Sequence, residues 1–106
     1  MTQTKDIYWL AGLLEGDGSF SNSNGSPHIQ LSMADVDVVK RAQRALRAKR
    51  VRSYSRQRHD GRTGPTHWHE TRITGTRAAG WMMTLYPLMG QRRQARIREL
   101  LAAWRG

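Results

Sequence analysis

The stretch from Leu10 to Gly18, which reads LAGLLEGDG, places an aspartate and a glutamate among apolar residues and glycines. Asp17 follows an apolar run that predicts a helix, so its carboxylate stands at the helix C-terminus. Carboxylate oxygens are ligands for Mg²⁺ and Ca²⁺, and a divalent cation beside a phosphodiester acts as a Lewis acid and activates water. These residues are compatible with metal-dependent phosphodiester hydrolysis, but for an isolated Asp-Gly the simpler interpretation is that Glu15 to Gly18 is only a helix end with turn residues.

Two glycines lie inside this predicted helix. Gly12 and Gly16 each cost about 1 kcal/mol relative to alanine in a helix interior, so an offsetting contact is needed. Spaced by four, with Ala11 beside the first, they leave a strip along which a second helix can approach closely. If that helix belongs to a second copy related by a two-fold axis, two Asp17 carboxylates meet where both helix dipoles are negative, and a divalent cation relieves their repulsion. The predicted dimer interface contains Ala11, Gly12, Glu15 and Gly16.

The amino-acid composition indicates which class of molecule this protein binds. The chain has 106 residues, enough for one small domain. Its formal net charge is +10, and most of its 18 Lys and Arg residues are arginine, whose planar guanidinium suits phosphate and guanine. Nucleic acid is therefore the leading partner, and membrane is disfavoured because no run of about 18 apolar residues exists. No cysteine is present, which excludes disulfides and thiolate zinc sites. The N-terminus lacks a secretory signal pattern, so we expect an intracellular protein.

Apolar periodicity and turn residues predict an α+β domain in which helices cover one face of an antiparallel four-stranded sheet. No linker or repeat divides the chain, so residues 1–106 are predicted to form one domain. Asn24-Gly25 is a strong hairpin signal, and Asp35 is a predicted helix N-cap. The expected elements are a helix over Asp6–Gly16, strands over Gly18–Ser23 and His28–Met33, a helix from Asp35 to about Ala48, strands over Val51–Arg58 and His67–Thr74 around a loop at His59–Pro65, a helix capped by Thr76 and ended by Pro87, and a last helix over Gln91–Trp104.

Alternation along the strands divides their residues between two faces. The inward set is predicted to be Phe20, Ile29, Leu31, Met33, Val51 and Ile73. The opposite row is Ser19, Ser21, Ser23, His28, Gln30, Ser32, Arg52, Tyr54, Arg56, Arg58, Trp68, Glu70, Arg72 and Thr74. Most of these side chains hydrogen-bond to bases and phosphates, which favours a DNA-binding saddle over an ordinary solvated face. A register slip in the fourth strand would exchange His67, His69 and Thr71 for Trp68, Glu70 and Arg72.

The LAGLLEGDG stretch resembles the signature of the LAGLIDADG homing endonuclease family, matching at Leu10, Ala11, Gly12, Leu13, Asp17 and Gly18. The predicted element order is also similar to the αββαββα core of that family. The resemblance implies that Asp17 binds the catalytic metal, usually Mg²⁺, with Ca²⁺ or Mn²⁺ able to substitute, and that the Gly16 carbonyl is a further ligand. Because only one motif is present, the resemblance implies a homodimer that cuts both strands of a palindromic or nearly palindromic DNA site. Such a protein is encoded in a mobile intron or intein, or by a free-standing gene.

The ends of the second and fourth predicted strands correspond to further catalytic positions of the family. Members often have a polar, water-ordering residue at the end of the second strand, where Asp35 is either a solvent ligand or the helix N-cap, and the two roles are compatible. Members often also have a lysine near the end of the fourth strand, whereas this chain has Ile73, Thr74 and Gly75. Arg72 or Arg77 is the predicted substitute. The candidate catalytic set is therefore Asp17, Asp35, Arg72 and Arg77.

Other functions stay open on the sequence alone. A non-catalytic member of the fold, such as an intron maturase or a transcription regulator, would bind without cutting, and a generic basic protein would bind without sequence preference. His67 and His69 form a potential metal pair, but no third ligand is nearby in sequence and a solvent or phosphate role is favoured. The arginines of the last helix, Arg92, Arg93, Arg96 and Arg98, with Arg105 beyond it, are predicted to form a solvated face.

Overall fold

The computed structural model describes residues 2–57 and 65–104. Its α+β architecture is the predicted one, with helices on one face of a single four-stranded sheet. In chain order the elements are α1 (Thr4–Asp17), β1 (Gly18–Ser23), β2 (Ser26–Met33), α2 (Val36–Leu46), β3 (Arg52–Gln57), β4 (Pro65–Thr74), α3 (Gly75–Leu85), a 3-10 turn (Tyr86–Leu88) and α4 (Gln91–Ala103). None of these helices has the length and apolar character that crossing a bilayer requires.

The sheet has the strand order β1-β2-β4-β3, and all neighbouring strands are antiparallel. β1 and β2 form the predicted hairpin, whose turn residues Asn24 and Gly25 have φ angles of 53° and 82°. Two successive positive φ angles define the turn type whose twist matches that of a hairpin. The two hairpins join through the β2–β4 pair, which places β2 and β4 in the middle of the sheet.

The register of β4 settles which of its residues share a face. Arg72 lies opposite Gln30, and Glu70 lies opposite Ser32 on β2. Directly opposed residues of an antiparallel pair point to the same side, so Trp68, Glu70 and Arg72 belong to the polar row. The slipped alternative is excluded, and Thr71 is buried on the helix side, 1% exposed. Arg58 and the side chain of Arg56 lie outside the described residues, as does the predicted loop over 59–64.

The core lies between the sheet and the helices. Phe20, Ile29, Leu31 and Ile73 are buried as predicted. Met33 and Val51, which were predicted to point inward, are only partly buried against the core because they stand at its edge, and Val51 precedes β3. The helices contribute Leu10, Ala11, Leu14, Val39, Ala42, Ala45, Leu46, Ala78, Met82, Leu85, Ile97 and Leu100 to the same cluster.

Several predicted boundaries were wrong. α3 begins at Gly75 with Thr74 as its N-cap, whereas Thr76 was the predicted cap. Gly75 has a φ of 68°, and this glycine turns the chain from β4 straight into the helix. Pro65, predicted in the loop, is the first residue of β4. α2 ends at Leu46 because Arg47 adopts the left-handed conformation with a φ of 57°.

Gly18 connects α1 to β1 at a point of close packing. A Cβ atom at this position would lie 2.7 Å from Leu14 Cδ2 and 2.8 Å from the Leu14 carbonyl oxygen. We expect Gly18→Ala to lower the free energy of unfolding by about 1–3 kcal/mol through overpacking. Urea denaturation measures this, with Gly80→Ala as the control because a Cβ on that helical glycine meets nothing within 4 Å. Equal stability of the two variants would contradict the prediction.

Candidate functional site

Asp17 is the last residue of α1, and its side chain is exposed. Among the described residues its carboxylate makes no hydrogen bond and no ion pair, and the last turn of α1 contains no basic residue. The carboxylate therefore adds to the negative end of the helix dipole without a counter-charge from the described residues of its own chain. An exposed, unpaired carboxylate in this position has the chemistry of a ligand for a hard divalent cation.

An exposed strip runs along α1 toward Asp17 and consists of Tyr8, Gly12 and Gly16. Tyr8 is 61% exposed, and a Cβ built on either glycine meets nothing within 4 Å. The described packing of this chain therefore gives no reason for glycine at positions 12 and 16. Tyr8 was not singled out in the sequence, although its spacing of four from Gly12 places it on the same face of α1. Ala11, which was predicted there, lies instead in the core and is 4% exposed.

Glu15 was also predicted at the dimer interface, but its carboxylate is engaged within the chain. It accepts a hydrogen bond from the Gly90 N–H and lies 3.7 Å from Arg93 Nε. The Arg93 guanidinium also donates to the Glu15 carbonyl oxygen, at 3.1 and 3.3 Å. Glu15 is engaged in this way because the free N–H groups at the start of α4 require hydrogen-bond acceptors, and the Glu15 carboxylate supplies one.

Arg93 and Arg96 were predicted to belong to a solvated face, but both donate hydrogen bonds to backbone oxygens of other elements. The Arg93 side chain is 15% exposed and its guanidinium lies 5.5 Å from the Phe20 ring centroid. Arg96 Nε donates to the Phe20 carbonyl oxygen at 3.1 Å. Together they hold the end of α1 and the start of β1 against α4, and this fixes the place of Asp17 between them.

Asp35 is the N-cap of α2, as predicted. Its carboxylate accepts hydrogen bonds from the N–H groups of Asp37 and Val38 at 3.2 and 3.5 Å. The residue is exposed, so the carboxylate still reaches solvent while it caps the helix. The capping role is thus observed, and the solvent-ordering role stays a prediction.

Arg72 and Arg77 differ in what they contact. Arg77 donates to the Arg47 carbonyl oxygen at the end of α2. Arg72 is exposed on the polar face, and among the described residues its guanidinium has no hydrogen-bond or ion-pair partner. Both line a cleft of about 430 Å³ together with Ser23, His28, Ala48, Lys49, Ile73 and Thr74. None of these lining residues is acidic, so the cleft attracts anions.

His28 adds a titratable group to this cleft. Burial and the Arg72 guanidinium lower the pKa of His28 from 6.5, while Glu70 opposes the shift. Because the unfolded chain then binds more protons than the folded one, the free energy of unfolding falls as the pH drops through 6.5 toward the folded pKa. We expect His28→Gln to lose less stability than the original chain between about pH 7.5 and pH 5.5 in urea denaturation. An identical pH dependence in the two proteins would contradict this assignment.

A connected polar cluster occupies the middle of the outer sheet face, which we call the Glu70 network (Gln30, Ser32, Arg52, Tyr54 and Glu70). Gln30 Nε2 donates to Glu70 Oε1 at 3.1 Å, and Arg52 Nε lies 3.8 Å from Glu70 Oε2. The hydroxyls of Ser32 and Tyr54 are 2.7 Å apart. Side-chain contacts on the outer face therefore connect strands β2, β4 and β3.

His67 and His69 lie on the opposite face of β4 from this network. Their Nδ1 atoms contact the hydroxyls of Ser55 and Ser53 at 3.1 and 2.7 Å. Across residues 2–57 and 65–104, no group of three His, Asp or Glu side chains is placed to hold a metal ion. The described part of one chain therefore does not form a closed metal site from these side chains.

Solved structures with the same architecture identify the class of fold. The homing endonuclease I-CvuI in complex with its target (Sro1.3), in the presence of 2 mM Ca, is 19% identical with a TM-score of 0.65, and the match covers 94% of this chain and 68% of that chain. I-CvuI in complex with the I-CreI target (C1221), in the presence of 2 mM Mg with the DNA not cleaved, is 16% identical with a TM-score of 0.58 over the same shares. The chain therefore has the fold of a homing endonuclease.

The particular family follows from the sequence. The model of the LAGLIDADG-like domain matches residues 4–80, which include the glycine-bearing helix, Asp17 and all four strands. The chain belongs to the LAGLIDADG-like family, as its motif had predicted. No curated protein sequence matches it.

Proposed function

We propose that this protein is a site-specific DNA endonuclease that acts as a homodimer and hydrolyses phosphodiester bonds with a divalent metal. The observation that carries the proposal is the exposed carboxylate of Asp17, which ends a helix whose glycine strip is open and unfilled. Membership of the LAGLIDADG-like family adds to it, as do the DNA and divalent ions of the structures that share the fold.

The dimer forms through the exposed strip of α1. Two copies of Tyr8, Gly12 and Gly16 face each other across a two-fold axis, and the absent side chains at the glycines allow the helix backbones to approach closely. The two Asp17 carboxylates then meet beside the DNA. Asp17 and the Gly16 carbonyl of each copy are the ligands for Mg²⁺, which supplies Lewis acidity and an activated water when bound.

The outer sheet face binds the duplex. Its arginines and the net charge of +10 per chain supply the phosphate attraction, and its polar row reads base edges in the major groove. Two sheets related by a two-fold axis read two equal half-sites, so the target is palindromic or nearly so. Arg72 is the better of the two candidates for stabilising charge at the phosphate, because Arg77 already donates to Arg47. Asp35 orders water while it caps α2.

A library experiment tests this function. Purified protein is incubated with a pool of duplexes that contain a randomised segment, with Mg²⁺ or with EDTA, and the cut ends are sequenced. We expect double-strand breaks only with Mg²⁺, within a sequence that shows two-fold symmetry. The absence of cutting from every sequence in the pool would contradict the proposal.

A second function is favoured by one specific feature. The end of β4 contains Ile73, Thr74 and the helix-starting Gly75, and it lacks the lysine that often assists cleavage in the family. A non-catalytic DNA- or RNA-binding member of the fold needs no such group. Selective binding of one nucleic-acid sequence without nicking in Mg²⁺ or Mn²⁺ would support this alternative.

A further inference from the structure

Glu70 is the one acidic residue in the outer row of the described strands, and it is 7% exposed. Its position is unfavourable in two respects. A negative charge on a surface that binds DNA repels phosphate, and burial of a carboxylate costs desolvation unless hydrogen bonds offset the cost. Its contacts must therefore contribute something that the surrounding serines and arginines do not.

The contacts of Glu70 reach both neighbouring strands. Its Oε1 accepts from Gln30 Nε2 on β2 at 3.1 Å, and its Oε2 lies 3.8 Å from Arg52 Nε on β3. The Arg52 guanidinium also lies 5.4 Å from the Tyr54 ring centroid. One carboxylate thus holds two long side chains, each of which belongs to a type that recognises bases through paired hydrogen bonds.

The chemistry of these contacts fixes what each side chain presents. An ionised carboxylate only accepts hydrogen bonds, so Gln30 must direct its NH₂ group to Glu70 and cannot turn its carbonyl there. The Gln30 Oε1 atom and the second N–H are left for a base. Arg52 faces Glu70 through Nε, which leaves its terminal nitrogens free for the two acceptors of guanine. The orientation of Gln30 follows from the charge of Glu70, and the same charge attracts the Arg52 guanidinium to the carboxylate.

We propose that Glu70 is a positioning residue that sets the base preference of the saddle by orienting Gln30 and Arg52. This inference rests on the proposed function, because it assumes that the outer sheet face binds DNA. It assigns Glu70 no contact with a base, in contrast to its predicted place among the DNA-contacting residues. Gln30 and Arg52 act as one unit, and each half-site of a dimer contains that unit once.

The isosteric change Glu70→Gln tests the proposal. A neutral amide both donates and accepts, so Gln30 is free to turn over and Arg52 loses its counter-charge. We expect discrimination among bases to fall about tenfold at the positions that Gln30 and Arg52 read, since a bidentate contact carries discrimination of that order. Non-specific affinity is expected to rise slightly, because each subunit loses one negative charge.

The measurement is equilibrium binding to a randomised duplex library in Ca²⁺, followed by sequencing of the bound fraction. Glu99→Gln is the matched control, because it removes the same charge from α4, where the Glu99 side chain is 69% exposed. The control is expected to leave the base preference unchanged. In a Gln30→Met background, Glu70→Gln is expected to have no further effect at the position that Gln30 reads.

If the unsubstituted protein selects a DNA sequence and Glu70→Gln leaves its base preference unchanged, the inference is overturned and the proposed function stays intact. If the unsubstituted protein selects no DNA sequence, both the inference about Glu70 and the proposed function are contradicted. If Glu70→Gln does not fold, the pair Gln30→Met and Arg52→Met tests the same claim without altering Glu70. Because Gln30 and Arg52 are proposed to act as one unit, we expect the two substitutions to have non-additive effects on base preference. Additive effects would overturn the inference.

Discussion

Replacing Asp17 by asparagine is expected to abolish DNA cleavage while DNA binding is retained. Asparagine keeps the size of the side chain and removes the charge that is proposed to hold the metal, so the expected loss of transition-state stabilisation is several kcal/mol, or at least about a thousandfold in rate. DNA binding is proposed to depend on the sheet and is therefore expected to persist. Cleavage of a target duplex in Mg²⁺ and binding to it in Ca²⁺ measure the two quantities separately.

Asp37→Asn is the matched control for this variant. It makes the same chemical change at an exposed position in the first turn of α2 and is expected to leave cleavage unchanged. Folding of Asp17→Asn is expected to be intact, because this carboxylate has no described partner and repels the negative helix end, so its loss is neutral or stabilising by about 0.3–1 kcal/mol. Cleavage by Asp17→Asn at the original rate would refute the metal-ligand role.

Replacing Gly12 by leucine is expected to convert the proposed dimer into a monomer. A Cβ at this position meets nothing within 4 Å in its own chain, and leucine is the better helix former by roughly 0.8–1 kcal/mol, so the monomer is expected to be at least as stable. The added side chain separates the paired helices and weakens association by at least about a hundredfold, or ~2.7 kcal/mol. Sedimentation equilibrium measures the association constant.

Gly80→Leu provides the control for Gly12→Leu. Gly80 is also an exposed helical glycine whose Cβ would meet nothing within 4 Å, but it belongs to α3 and is not one of the strip residues. It is expected to leave the association constant unchanged. Dissociation of both variants, or of neither, would show that α1 is not the interface.

Local rules predicted the elements that position the site. Asn24-Gly25 specified the first hairpin because both residues tolerate positive φ. Asp35 marked the start of α2 because a side-chain oxygen there satisfies free N–H groups. Alternation along β4 placed Glu70 and Arg72 on the polar face, and the register with β2 confirmed it. These features depend on neighbours within a few residues.

Contacts between distant residues could not be predicted in the same way. Glu15 and Arg93 are separated by 78 positions, and no local pattern distinguishes an arginine that holds a carbonyl from one that is solvated. Ala11 and Gly12 are adjacent small residues, yet one lies in the core and the other on the open strip because α1 is rotated by its packing on the sheet. The partners of Glu70 are determined by the alignment of β2, β4 and β3, which no local pattern specifies.

The most direct test of the metal-bridged dimer is a crystal structure of the protein on its selected DNA site with Ca²⁺. We expect two protein copies that meet through Gly12 and Gly16, with an Asp17 oxygen from each copy at about 2.3–2.6 Å from a calcium ion beside the scissile phosphates. A single copy on the DNA, or two copies whose Asp17 carboxylates contact no ion, would contradict it.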